Sequence, residues 1–144
     1  MSAELFIANT LRIAREDLQG AKLLRAEHNR NSAYLCEQAA EKLIRAILTS
    51  EGKRAGIGHN LEQFVDLVPD ENPLKPRLRE LQRLGDYATT YRYATTYSIK
   101  APPPEDELDE LFVKIDALLT EVASRFGVDL SKAATPARRG LRHG

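Results

Sequence analysis

Arg92 lies in a run of tyrosines: Tyr87, Tyr91, Tyr93 and Tyr97 fall within eleven residues. A guanidinium presents a planar fork of donors that matches phosphate oxygens. Aromatic rings beside it offer faces on which nucleobases stack. These residue types together describe a site for a phosphate and a base. A plainer reading uses the same residues as structure: the tyrosines pack at a helix end or a subunit seam with their hydroxyls at the rim. Arg92 then pairs with a carboxylate such as Glu37 or Glu41. His59, which follows a glycine-containing loop, either offers a polar group at a cleft or an anion site near a helix N-terminus, or fixes the loop by a local hydrogen bond.

Other chemistries find less support. The loop Gly52-Lys53-Arg54-Ala55-Gly56-Ile57-Gly58 lacks the Gly-Lys-Ser/Thr ending of a phosphate-binding P-loop. His28, His59 and His143 have no metal-ligand spacing, so neither a metal nor a cofactor is expected. The single cysteine, Cys36, sits on an apolar helix face and reads as a packing residue. It excludes an internal disulfide, which fits a reducing cytoplasm. Lys plus Arg balance Asp plus Glu at 21 each, so any basic binding surface must be local. No apolar run approaches the ~18 residues of a membrane span, and the first residues lack a signal-peptide pattern. A cytoplasmic protein is expected.

The elements that must position these residues are helical. Ile7, Leu11, Ala14, Leu18 and Ala21 form the stripe of a first helix from Ala3 to Glu27. A second helix, capped by Asn31 or Ser32 and ending near Glu51, turns Cys36, Ala40, Leu43, Ile44 and Ile47 to one side. Small residues in the middle of that face let another helix approach closely. Its other face carries Glu37, Glu41, Lys42 and Arg45, with Glu41 one turn ahead of Arg45 in the favourable order.

Asn60 and Gln63 read as a capping box for a short helix bearing Leu61, Phe64, Val65 and Val68. A longer helix is predicted from Leu74 to about Tyr93, with Leu74, Leu78, Leu81, Leu84 and Ala88 inward. Pro102-Pro103-Pro104 and the acidic residues 105–107 introduce a last helix that stops at Gly127. The fold class predicted is all-α, an up-and-down bundle of about five helices over residues 1–127. Residues 128–144 read as a flexible basic tail, either a solvated terminus or a weak electrostatic contact for nucleic acid or an acidic partner.

Three segments occur in order: Glu37-Gln38-Ala39-Ala40-Glu41-Lys42 within a helix, His59-Asn60-Leu61 after a glycine loop, and Tyr91-Arg92-Tyr93 before a proline-rich turn. That order resembles the HEPN domain family (higher eukaryote and prokaryote nucleotide-binding), over about Ala3 to Phe126. The Glu-Gln-Ala-Ala-Glu-Lys run is the most specific of the three.

The resemblance implies a helical bundle that usually dimerises, with a polar cleft near the dimer interface. It implies nucleotide or RNA binding, and for many bacterial members a small nucleotidyltransferase partner, often as a toxin–antitoxin pair. Other members are metal-independent ribonucleases with an Arg-x(4–6)-His motif. Here no histidine follows Arg92 until His143, and the positions five to seven onward are Tyr97, Ser98 and Ile99. The group that would handle the 2′-OH proton is missing, while phosphate binding through Arg92 survives.

The expected protein is therefore a homodimeric HEPN-type binder of nucleotide or RNA, acting with a nucleotidyltransferase and not itself an enzyme. Its cleft candidates are Glu37, Glu41, His59, Arg92, Tyr93 and Tyr97. The alternatives are a ribonuclease toxin with a non-standard motif around Arg92 and a helical protein-interaction adaptor.

Overall fold

A computed structural model describes residues 3–54, 56, 60–88 and 103–135. Among these the regular structure is entirely helical: α1 (Ala3–Ala26), α2 (Asn31–Ser50), α3 (Leu61–Leu67), α4 (Lys75–Arg79), a 3₁₀ helix (Gln82–Ala88) and α5 (Glu105–Arg125). The all-α bundle predicted from hydrophobic periodicity is the architecture observed. No helix among the described residues is long and apolar enough to cross a membrane.

The frame is the α1–α2 hairpin, the most extensive packing among the described elements, closed by α5. Ile7, Leu11, Ala14, Leu18 and Ala21 are buried, so the stripe read along α1 is its inner face. Ala33, Cys36, Ala39, Ala40, Leu43, Ile44 and Ile47 are buried along α2. Small buried residues, Ala14 and Ala21 on α1 and Ala33, Ala39 and Ala40 on α2, permit a close approach of the two helices. Even Gly20 is used: a Cβ there would stand 3.1 Å from Leu35 Cδ1.

Three helix ends share one device. At each, the amide one position past the turn returns to a carbonyl five residues back, and the intervening residue adopts positive φ. Gly52 (φ 70°) and Gly127 (φ 65°) take that position after α2 and α5, as glycine can without strain. After α1 the same position is His28 (φ 56°), where a side chain makes the conformation costly. Its ring pays some of this back by meeting Glu105 at 2.6 Å (Nδ1 to Oε2), which ties the hairpin turn to the start of α5.

Two local expectations change. The start of α2 is not capped by Asn31 or Ser32. Asn29 Oδ1 accepts from the Asn31 amide at 2.9 Å, while Ser32 Oγ, buried, donates to the Ala21 carbonyl of α1 at 2.6 Å. The long helix predicted from Leu74 is instead α4 followed by the 3₁₀ helix. Leu78, Leu81, Leu84 and Tyr87 are all buried and step by three, the repeat of a 3₁₀ turn rather than of an α-helix. Gly85 faces α3, where a Cβ would make an ordinary contact, 3.6 Å, with Leu61 Cβ. The capping box at α3 is as predicted, with Gln63 N to Asn60 Oδ1 and Asn60 N to Gln63 Oε1 both at 2.8 Å.

Beyond α5 the chain does not leave the bundle at once. Val128 and Leu130 pack against the core. Arg12 Nε donates to the Asp129 carbonyl (3.1 Å) and Arg15 Nη1 to the Leu130 carbonyl (2.8 Å). Asn9 then holds both backbone groups of Thr135, at 3.0 and 2.9 Å. The loose tail expected from Val128 thus does not describe residues 128–135, which are clamped along α1. Residues 136–144 lie outside the described residues.

Candidate functional site

On an α-helix, positions 34, 37, 38, 41, 42 and 45 lie on one side. In α2 that side carries Tyr34, Glu37, Gln38, Glu41, Lys42 and Arg45, and it is the polar counterpart of the apolar face that seals the core. Its residues are not simply solvated. Lys42 Nζ reaches Asp17 Oδ2 of α1 at 2.5 Å and Gln38 Oε1 at 3.5 Å. Gln38 Nε2 donates to Glu37 Oε1 at 2.8 Å. A chain of polar contacts therefore runs Asp17–Lys42–Gln38–Glu37 across the hairpin. On the next turn Glu41 Oε2 meets Arg45 Nε at 3.4 Å, the i,i+4 pair predicted from sequence. The Arg45 guanidinium stands 4.6 Å from the centre of the Phe64 ring, a cation–π contact that joins α2 to α3.

Glu37 is the unusual member. It sits on the charged face of α2, yet only 3% of its surface is accessible. Burial raises its carboxyl to about 7, the Gln38 amide opposes that rise, the Glu41 charge adds to it and the Lys42 charge opposes it. No ion pair to Glu37 exists among the described residues; Lys42, on the same helix, is engaged by Asp17. Among the described residues it accepts from one neutral donor, the Gln38 amide, and burial penalises its charged form. Its neighbour Cys36 is fully buried and its thiol is pushed well above the ordinary range by burial, then by the Glu37 charge. Cys36 is therefore an inert packing residue, as its place on the apolar face predicts.

Of the six cleft candidates, Glu37 and Glu41 stand one turn apart on this side of α2. His59, Arg92, Tyr93 and Tyr97 lie outside the described residues. The two flanks of the Arg92 segment are described. Residues 82–88 form the 3₁₀ helix packed on α2. Pro103 shares a small cavity with Arg25, Ser32 and Ala33, at the N-terminal end of α2. Tyr87 belongs to the packing: it is 5% exposed and its hydroxyl donates to Glu107 Oε1 at 3.2 Å. Sequence reading missed the Asp17–Lys42 pair and the Arg45–Phe64 contact. Asp17 was visible as an acid bordering the apolar stripe of α1, but nothing in sequence gave its partner.

The HEPN domain family model matches residues 7–138. The chain belongs to the HEPN family. The match spans all the described helices apart from the first turn of α1, and extends over the clamped segment 128–135. Neither the curated proteins nor the solved structures include one that matches the chain. Membership in this family supports a nucleotide- or RNA-related role at the level of the family. Within this HEPN bundle, no group of three or more His, Cys, Asp or Glu side chains among the described residues is arranged to hold a metal ion.

Proposed function

We propose that this HEPN protein binds nucleotide or RNA in a cleft walled by the polar side of α2, acts with a small nucleotidyltransferase partner in a toxin–antitoxin-like or regulatory role, and does not cleave RNA itself. Arg92 holds phosphate, and Tyr93 and Tyr97 offer stacking faces. Glu37 and Glu41 orient the guanidinium, and His59 lies at the edge.

The observation that carries this reading is Glu37. Keeping a carboxyl buried without a cation costs stability, and such groups concentrate where function requires them. An arginine brought against it when ligand fills the cleft would supply a matching charge and be fixed in direction by it. The flanks of the Arg92 segment support the same reading, since one is packed on α2 and the other returns beside its N-terminal end. A phosphate-binding role needs no more than this. Cleavage needs a base as well, and the missing histidine after Arg92 removes a contribution of roughly 10²–10⁴ in rate.

Titration of a labelled single-stranded RNA and of free nucleotides, followed by fluorescence anisotropy, tests the cleft. Arg92→Ala should weaken binding by about 10-fold or more, the value of a charge-assisted hydrogen bond. It should also reduce the salt dependence by about one phosphate contact. Equal affinity in the two proteins contradicts the proposal. RNA should remain intact throughout; fragmentation that disappears in Arg92→Ala would replace this reading with the ribonuclease one.

A further inference from the structure

One end of the bundle is open. Two cavities adjoin there, sharing Arg125 and Phe126 at the end of α5. The first, about 210 Å³, is floored by Ile47, Leu74 and Val122. The second, about 310 Å³, reaches Glu4 and Ile7 on the first turns of α1. Phe126 is 43% exposed between them, a large apolar ring left without cover. An apolar cavity of about 150 Å³ already accepts a benzene ring, so this groove has room for a branched aliphatic side chain.

Its rim is acidic. Glu4 and Glu51 form no ion pair among the described residues, and the one arginine in the groove, Arg125, is turned to Glu121 at 2.9 Å, a carboxylate it shares with Arg77. Both α2 and α5 end here with their negative dipole ends, against the positive end of α1. The groove therefore suits a short segment with one large apolar residue flanked by cations.

The chain carries such a segment nearby. Residues 136–144 read Pro-Ala-Arg-Arg-Gly-Leu-Arg-His-Gly, with Arg138, Arg139 and Arg142, no acid, and Leu141 as the one large aliphatic residue. They begin at Thr135, which Asn9 holds by both backbone groups. From Asn9 back to Glu4 is about 8 Å along α1. The six residues from Thr135 to Leu141 reach up to about 20 Å. Such a tether gives an effective concentration in the millimolar range.

We infer that residues 136–144 dock in the groove at the open end of their own bundle, with Leu141 against Ile7 and Phe126 and the arginines on the Glu4 and Glu51 rim. The clamp of residues 128–135 on α1 delivers the segment to this end. The inference is independent of the nucleotide-binding reading. A cationic stretch held in this way is withheld from nucleic acid elsewhere.

A nitroxide on Gly144→Cys of the full chain tests this. Buried Cys36, with its thiol held protonated, does not compete for the label. In the isotope-labelled protein, the amides of Glu4, Ile7 and Phe126 should lose most of their intensity and regain it on Leu141→Asp, a change in the tail that leaves the bundle intact. Unchanged intensities at those amides overturn the inference, as does broadening that survives Leu141→Asp. Broadening seen only when spin-labelled and isotope-labelled copies are mixed also overturns it, by assigning the groove to a second copy's tail.

Discussion

At pH 8 the Glu37→Gln protein is expected to be more stable than its parent by about 3 kcal/mol. The folded Glu37 carboxyl sits at about 7 against an ordinary 4.5, because the bundle buries it. In acid both folded and unfolded chains hold the proton and nothing is lost. As pH rises past 4.5 the unfolded chain ionises while the folded one does not, so stability falls with pH until the folded carboxyl also ionises near 7. Above that the penalty is complete. Glutamine keeps the shape and the acceptor used by Gln38, and it never charges. The gain should therefore be largest at pH 8 and small at pH 5, and at pH 8 it should raise Tm by roughly 6–12 °C for a chain of this size. Thermal unfolding of both proteins at the two pH values measures it. A variant less stable than the parent at pH 8, or a gain independent of pH, would contradict the account of Glu37.

Leu43→Ala, six residues further along the same helix, should have the opposite sign and a similar or larger size. Leu43 is 0% exposed within the core that α1, α2 and α5 enclose. Truncation removes its transfer free energy and leaves a cavity that the surrounding core relaxes only partly to fill, costing about 2–5 kcal/mol. Because the hairpin is the frame of the molecule, this loss should appear at every pH. Denaturant unfolding at pH 5 and pH 8 should give the same midpoint shift; a loss below about 1 kcal/mol would mean that the site collapses and that the α1–α2 contact is looser than its burial implies. The paired substitutions separate the two faces of α2: one maintains the fold, the other is held at the expense of stability.

The long amphipathic helices were legible in sequence because their apolar residues repeat at 3- and 4-residue steps over many turns. The break between α4 and the 3₁₀ helix was not, since Leu74, Leu78, Leu81 and Leu84 fit an α-helical stripe nearly as well as a three-residue one. Only Tyr87, buried where Ala88 was expected to continue the row, separates the two. The clamped segment 128–135 left a fainter trace. Asn9, Arg12 and Arg15 step by three along α1 beside its buried stripe, but side-chain donors to a distant backbone have no sequence partner to betray them. Glu37 was found as a candidate by its type and its run of neighbours. Its burial was not foreseen, because a helix reveals which residues share a side and not what covers them.

Binding sites commonly sacrifice stability for function, and Glu37 lets the two be measured in one protein. The decisive measurement is RNA affinity of the parent and Glu37→Gln at pH 8, where the variant is the more stable of the two. If the acidic side of α2 is a wall of the ligand site that orients Arg92, the variant should bind about 10-fold or more weakly, the loss of a charge-assisted contact. Equal or tighter binding by Glu37→Gln would contradict that placement and leave Glu37 a costly residue of the core.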